Sequence, residues 1–234
     1  PLQIRIKGET ISSLQPCRKS PLPDCFVAPG FIDTQINGYL NVEFSNLHSP
    51  DKLRDVTKAL WAHGVTSFVP TLVSTAHLEL VNALKQLSTA RQKHNLQYAI
   101  PLVFLEGPFI SPENGYRGAH PVKWIRQPDI ECLQAIENAA PELVKLIGIA
   151  PDQPGAIDLI CYCRKRGIQV SLVHHNATAD EIGAAVKAGA RFCSHLGNGI
   201  AEHIDRQHNP LWPQLAEDEL VATIIADSFH LSYA

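Results

Sequence analysis

From Phe26 onward the chain alternates short apolar runs with helix-length segments, and this alternation narrows the possible folds more than any other feature. Phe26-Val27-Ala28 with Phe31-Ile32 reads as a first buried strand, ending in Asp33-Thr34-Gln35. Further strands are predicted over 65–73, where Pro70 interrupts late, then 102–105, 143–149, 168–173, 190–194 and 221–226. Helices lie between them. Ser49-Pro50-Asp51 starts one, with Ser at the N-cap and Pro in the first turn, and Gly64 closes it. Leu78, Val81, Leu84 and Leu87 have helical spacing within 76–94. Others are predicted near 128–139, over 155–166 with Gly167 as a stop, and from the capping box Thr178-Ala179-Asp180-Glu181 to Gly189. Residues 198–213 read as a long irregular loop. Strands alternating with helices of this length build right-handed βαβ units and a parallel sheet. The expected fold class is therefore α/β, a (β/α)8 TIM-type barrel with about seven of its strands present. An open doubly wound sheet usually carries a Gly-rich phosphate loop after its first strand, and there is none here. Upstream, Leu2-Gln3-Ile4-Arg5-Ile6 alternates as a half-buried strand does, and the Pro-rich segment 16–23 reads as turns. Residues 1–26 are thus read as a portion of a small β domain and 27–234 as the barrel.

Three of the strands run into residues that a buried strand does not need. Leu102-Val103-Phe104-Leu105 ends in Glu106-Gly107-Pro108, and an unpaired carboxylate at that point is costly to desolvate. The strand over 168–173 runs into His174-His175-Asn176, and that over 190–194 into His195-Leu196-Gly197-Asn198. In a parallel barrel the loops after strand C-termini carry the chemistry. One carboxylate and two imidazoles there are the ligand types of a catalytic zinc site that keeps a position open for water. Seen singly, Glu106 would read as a paired structural carboxylate and each His as a core residue; the shared position at strand ends favours ligation. His48, His63, His77 and His94 lie on or beside helices and read as surface residues. His175 reads either as support behind the ligands or as facing solvent.

Composition excludes other classes. Among 234 residues the formal net charge is −3 with no marked asymmetry, so neither nucleic acid nor an anionic membrane is indicated as a partner. Hydrophobic residues at 45% and charged ones at 18% suit a chain with a large core. No apolar run approaches the ~20 residues that span a bilayer, and no signal-peptide pattern opens the chain. Cys17, Cys25, Cys132, Cys161, Cys163 and Cys193 are scattered, without a CxxC pair, and read as reduced thiols of a cytoplasmic protein. The absence of Met, even at position 1, leads us to expect a processed or incomplete chain.

Six motifs occur in order from Val27 onward. They are Ala28-Pro29-Gly30-Phe31-Ile32-Asp33, Leu105-Glu106-Gly107-Pro108-Phe109, Gly118-Ala119-His120, His174-His175-Asn176-Ala177-Thr178, Ser194-His195-Leu196-Gly197-Asn198 and Ile225-Ala226-Asp227-Ser228-Phe229-His230. Together they resemble the N-acetylglucosamine-6-phosphate deacetylases of the amidohydrolase superfamily. The resemblance implies a metal-dependent hydrolase barrel with a small β-sandwich, one Zn2+ site (another divalent metal would also serve) held by Glu106, His174 and His195, and a homodimer. It places Ala119 and His120 in a substrate-binding segment, Asn198 and Gly199 in a sugar-phosphate loop, and His230 against the substrate. Arg206 matches a phosphate-holding residue contributed across the dimer. Gln35-Ile36-Asn37 stands where many amidohydrolases carry His-x-His, as in members with a single zinc.

The implied reaction hydrolyses the acetamide of N-acetylglucosamine 6-phosphate to glucosamine 6-phosphate and acetate, in amino-sugar catabolism. Zinc would bring the pKa of bound water towards ~7, and His230 would help polarise the carbonyl. The family's proton-transferring Asp lies after an eighth strand, beyond Ala234, and Asp227 is a poor substitute for it. Other expectations remain beside this one. The chain would act as a deaminase or cyclic amidase, or, if the polypeptide ends at Ala234, as a non-catalytic binder of metal or sugar phosphate.

Overall fold

A computed structural model describes residues 2–17 and 26–232. Most of the expected Pro-rich turn and Cys25 lie outside the described residues. The chain divides into two compact units, Pro1–Gly30 and Phe31–Ala234.

In the first unit, β1 (Leu2–Lys7) pairs antiparallel with β2 (Thr10–Pro16), with Ile4 opposite Leu14. Gly8, at φ 61°, lies in the turn between them, where a left-handed residue is needed. The strand forms as its alternation predicts, but it is not half-buried: Leu2, Ile6, Ile11 and Leu14 are all exposed. Among the described residues of this unit β1 pairs only with β2, and a two-stranded ribbon alone offers no layer on which to bury a face.

The second unit begins with β3 (Phe31–Ile36) and a small hairpin of β4 (Gly38–Tyr39) and β5 (Val42–Glu43). Then α1 (Pro50–Ala62), β6 (Val65–Leu72), α2 (His77–Lys93), β7 (Val103–Leu105) and α3 (Ile130–Glu137) follow. The chain continues through β8 (Val144–Ile149), α4 (Ala156–Arg166), β9 (Gln169–Leu172) and α5 (Ala179–Ala188). It ends in β10 (Phe192–Cys193), α6 (Leu211–Ala216) and β11 (Val221–Ala222). The sheet order is β11-β10-β9-β8-β7-β6-β3, every neighbouring pair parallel. Strand order follows chain order without reversal, which excludes the doubly wound arrangement. The sheet is curled: Asp33, Thr34 and Gln35 from one outer strand and Thr223 and Ile224 beyond the other line a single cavity of about 340 Å³. A curled sheet of seven parallel strands fits part of a TIM-type barrel.

Helix signals act locally as the sequence implies. Thr178 and Glu181 form both bonds of the capping box, Asp129 accepts from the Cys132 N–H at 2.6 Å, and left-handed Gly167 closes α4. Ser49 stands at the N-cap of α1 before Pro50, although its hydroxyl makes no cap bond.

Five expectations need correction. Residues 26–30 are irregular and the first strand starts at Phe31, with Phe31 and Ile32 exposed, because β3 is an outer strand that pairs only with β6 among the described residues. The outer strand β11 is likewise short and exposed rather than buried. Pro70 does not break β6, since it falls where the ladder to β3 is already irregular. Finally, α2 buries Leu80, Leu84 and Leu87 while Leu78 is exposed, and the expected loop ends early, because α6 starts at Leu211 and runs on to Ala216.

Strand alternation decides what faces inward. Phe68, Leu72, Val103, Leu105, Ile147, Val170 and Leu172 pack towards the helices in the main core. Val69, Phe104 and Val173 form a separate inner cluster with Ile110 and, at its edge, Leu146. Glu106 shares the parity of Phe104, so the barrel interior is where its carboxylate arrives.

Candidate metal centre and active site

The inner face of the sheet leads upward from Phe104 to Glu106, which is 4% exposed. The two histidines reach the same place by a different route. Val173 faces inward, as does Ser194, whose hydroxyl lies 2.8 Å from that of Ser171. Alternation would therefore send His174 and His195 towards the helices. Both instead adopt left-handed backbone, φ 48° and 37°, which breaks the alternation and turns the rings back over the barrel. Left-handed non-glycine residues cost on the order of 1–3 kcal/mol and persist where surrounding contacts over-determine them. Those contacts are present: the His174 carbonyl accepts from the Ser111 N–H (3.0 Å), and the His195 N–H donates to Thr223 Oγ1 (2.9 Å).

The three side chains converge. Glu106 Oε1 lies 2.9 Å from His195 Nε2 and 3.3 Å from His174 Nε2, and one potential ligand atom from each residue lies within 4.8 Å of the others. Burial alone would raise the Glu106 carboxyl pKa, but the His174 and His195 rings beside it, where they carry a hydrogen on Nε2, outweigh it and hold the group well below the usual carboxylate range. Glycines make room for both rings. A Cβ on Gly118 would come within 2.9 Å of His174 Cε1, and one on Gly199 within 2.9 Å of His195 Cε1.

The donor set fits a cation. His174 Nδ1 lies 2.8 Å from the Tyr116 carbonyl, which can only accept, so Nδ1 carries a proton. In the neutral ring Nε2 then presents a lone pair, and that lone pair faces a carboxylate oxygen. A cation among two imidazole nitrogens and one carboxylate resolves this opposition, and a second-atom hydrogen bond of this kind is what orients metal-bound histidines.

Two residues not anticipated as Glu106 partners complete its surroundings. Gln35 Nε2 donates to Glu106 Oε1 at 2.8 Å and Asn37 Nδ2 to Oε2 at 3.3 Å. Their position in the place of His-x-His was visible in the sequence, but their partner was not.

A cavity of about 380 Å³ opens over this cluster, lined by Ala119, His120, Asn198 and His230 as well as Gln35 and Asn37. His120 is buried, and desolvation with the neighbouring His174 pushes its pKa down to about 4. His175 is buried behind His174, where desolvation pushes it down to about 4; its Nδ1 accepts from the Ala177 N–H at 3.2 Å. His230 is held to Asp227, whose carboxylate accepts from the Phe229 and His230 N–H groups and lies 2.7 Å from His230 Nδ1. These bonds, led by the His230 N–H, lower the Asp227 pKa to about 2.

Two expected substrate residues lie elsewhere. Gly199 sits against the His195 ring rather than on the large cavity. Arg206 is exposed on the 198–210 segment and makes no ion pair among the described residues; its carbonyl accepts from Trp212 Nε1 at 2.9 Å. His48 and His63 are exposed, while His77 and His94 are half-buried, His94 Nε2 lying 2.9 Å from Asp51.

A curled parallel βα sheet with a carboxylate–imidazole cluster at its C-terminal end defines the class: part of a TIM-type scaffold carrying a cluster compatible with a metal ion. The chain is similar to amino-sugar-6-phosphate deacetylases, most of them named N-acetylglucosamine-6-phosphate deacetylase and one, from Escherichia coli O157:H7, N-acetylgalactosamine-6-phosphate deacetylase. The N-acetylglucosamine-6-phosphate deacetylase from Bacillus subtilis is 30% identical over 210 residues, 88% of this chain and 52% of its own length. A crystal structure of N-acetyl-D-glucosamine-6-phosphate deacetylase from Mycobacterium smegmatis matches 97% of this chain and 60% of its own, with TM-score 0.83 and 25% identity. A variant of the M. smegmatis enzyme in complex with N-acetyl-D-glucosamine-6-phosphate matches with TM-score 0.81 and 25% identity, over 98% of this chain and 60% of its own. No protein-family model matches. The chain spans about half the length of the curated relatives it matches.

Proposed function

We propose that this chain forms the metal- and sugar-binding part of a cytoplasmic amidohydrolase that releases acetate from N-acetylglucosamine 6-phosphate and leaves glucosamine 6-phosphate. The observation that carries the reading is the convergence of Glu106, His174 and His195 at the ends of three strands, under a cavity of about 380 Å³. Similarity to deacetylases over most of the chain supports it. Residues 1–26 then belong to a small β-sandwich and 27–234 to the catalytic barrel.

Glu106, His174 and His195 would hold one zinc ion. When bound, that ion supplies Lewis-acid polarisation of the acetamide and acidifies a water near neutral pH. The remaining work falls to the chain. Gln35 and Asn37 fix the carboxylate of Glu106 by donating to both its oxygens. They also occupy the place of a second pair of imidazoles, which supports a single metal. His120 and His230 line the cavity as candidates to receive the amide oxygen and the sugar, with Ala119 and Asn198 beside them. Gly199 acts by leaving room for the His195 ring, which a Cβ there would approach within 2.9 Å. Arg206, exposed and without an ion pair among the described residues, is available to a phosphate in the neighbouring subunit of a homodimer, as a charge-assisted fork. Proton transfer to the leaving amine is assigned to the carboxylate that the resemblance places beyond Ala234, since Asp227 is already engaged by His230.

The test measures metal content and acetate release together, on protein expressed from the full reading frame that contains this chain. Wild type should retain close to one zinc per chain and hydrolyse the phosphorylated sugar. Glu106→Gln and His195→Ala should each lose metal and turnover to background. A Glu106→Gln protein with full metal content would overturn the ligand assignment, and a metal-loaded wild type inert towards the sugar phosphate would overturn the reaction.

A further inference from the structure

Ser74, just beyond β6 and 3% exposed, plays no part in the site as described so far. Its main-chain N–H lies 3.2 Å from His120 Nδ1 and its hydroxyl lies 2.8 Å from the same atom. A main-chain N–H can only donate, so Nδ1 must accept, and a ring nitrogen that accepts carries no proton. The proton of the neutral ring is then on Nε2. That atom stands 4.0 Å from Glu106 Oε2, beyond hydrogen-bond range, on a ring that lines the large cavity. Room for this arrangement comes from Gly107, where a Cβ would overlap the Ser74 hydroxyl.

We propose that Ser74 is a positioning residue that locks His120 with its proton on Nε2, making it a fixed donor to an acceptor atom of the ligand and keeping it out of the metal's ligand set. Two consequences follow from one hydrogen. A ring nitrogen bearing hydrogen offers no lone pair, so His120 cannot become a fourth ligand although its ring lies edge-on to that of His174, centroids 4.7 Å apart. The same hydrogen favours a carbonyl or ether oxygen in the cavity over an ammonium or amide N–H. The first consequence stands on geometry alone, and the second rests on the cavity being the sugar-amide site proposed above.

The experiment is heteronuclear NMR on protein labelled at its histidine ring nitrogens, without substrate, before and after loading with cadmium as a zinc substitute. The expected result is a single His120 form at neutral pH, protonated on Nε2, with metal coupling at His174 and His195 but none at His120. Ser74→Ala keeps the main-chain donor at 3.2 Å, so Nε2 should stay the main protonated site, but loss of the closer hydroxyl should let a minor Nδ1-protonated form appear in exchange with it. Ser74→Thr, which restores a hydroxyl, should recover the wild-type pattern and guards against a folding defect. A proton on Nδ1 of wild-type His120, metal coupling at His120, or a Ser74→Ala spectrum identical to wild type would each overturn the proposal. Because no turnover is measured, a failure of the deacetylase reading leaves this result intact, and an active deacetylase with Nδ1-protonated His120 would refute the lock alone.

Discussion

At the scale of single residues, the carboxylate of Glu106 is the point on which the site turns. Four side chains reach it: His174, His195, Gln35 and Asn37. The last two are neutral donors, so they stabilise the ionised carboxylate without adding charge to the pocket. Partners of this kind set ligand orientation, and their removal commonly costs 10–100-fold in metal affinity. Gln35→Ala is therefore expected to weaken zinc about tenfold or more in a competitive chelator titration, with an unchanged circular dichroism spectrum. Asn37→Ala should weaken it less, since its bond is longer, 3.3 against 2.8 Å. Unchanged affinity in Gln35→Ala would mean the amide only fills space. Residue chemistry made Glu106, His174 and His195 legible in the sequence, because a carboxylate and imidazoles at strand ends have few uses. Gln35, Asn37 and Ser74 were not legible as partners. Neutral amides and hydroxyls are common everywhere, and only the curl of the sheet brings positions 35 and 37 to position 106.

At the scale of elements, the inner strands were readable and the outer ones were not. β6 to β9 are flanked on both sides and packed on both faces, so apolar runs reported them faithfully. Phe31 and Ile32 on β3 and Val221 and Ile224 at β11 are apolar yet remain exposed, since apolar residues record burial only where neighbouring strands exist. The turn of His174 and His195 into the barrel escaped reading as well, because left-handed backbone at a non-glycine residue leaves no mark in the sequence. Helix α4 shows the reverse, a local pattern with a clear energetic outcome. Its Cys163 is fully buried, and desolvation pushes the thiol up to about 12, with the nearby Glu137 contributing. At neutral pH it should resist thiol reagents until the chain unfolds, as judged by labelling followed by mass spectrometry, while half-buried Cys161 and Cys132 react sooner. The sign with pH is determined. Above about 9 the unfolded thiol ionises and the folded one does not, so the folded state binds more protons and stability falls as pH climbs from about 9 towards 12. Rapid native labelling of Cys163 would show that α4 is not packed as described.

At the scale of the whole molecule, the sheet has two outer strands whose far edges pair with no described strand, and both are lined with apolar side chains. Phe31 and Ile32 on β3 are 72% and 66% exposed, and Val221 and Ile224 at β11 are 59% exposed each. Unpaired edges with exposed apolar side chains invite another chain to pair with them, β3 with its six residues more than the short β11, and exposed apolar surface adds to the drive. As an isolated 234-residue polypeptide the protein is therefore expected to self-associate with rising concentration, seen by size-exclusion chromatography with light scattering as mass well above 25.7 kDa. Placing one charge on each edge, with Ile32→Lys and Val221→Lys together, should raise the monomer fraction several-fold, because a lysine at an edge opposes strand addition. The double variant leaves Glu106, His174 and His195 untouched, so metal retention should survive and separate an edge effect from loss of the fold. A monodisperse 25.7 kDa wild-type species across that concentration range would show that the outer strands are covered from within the chain.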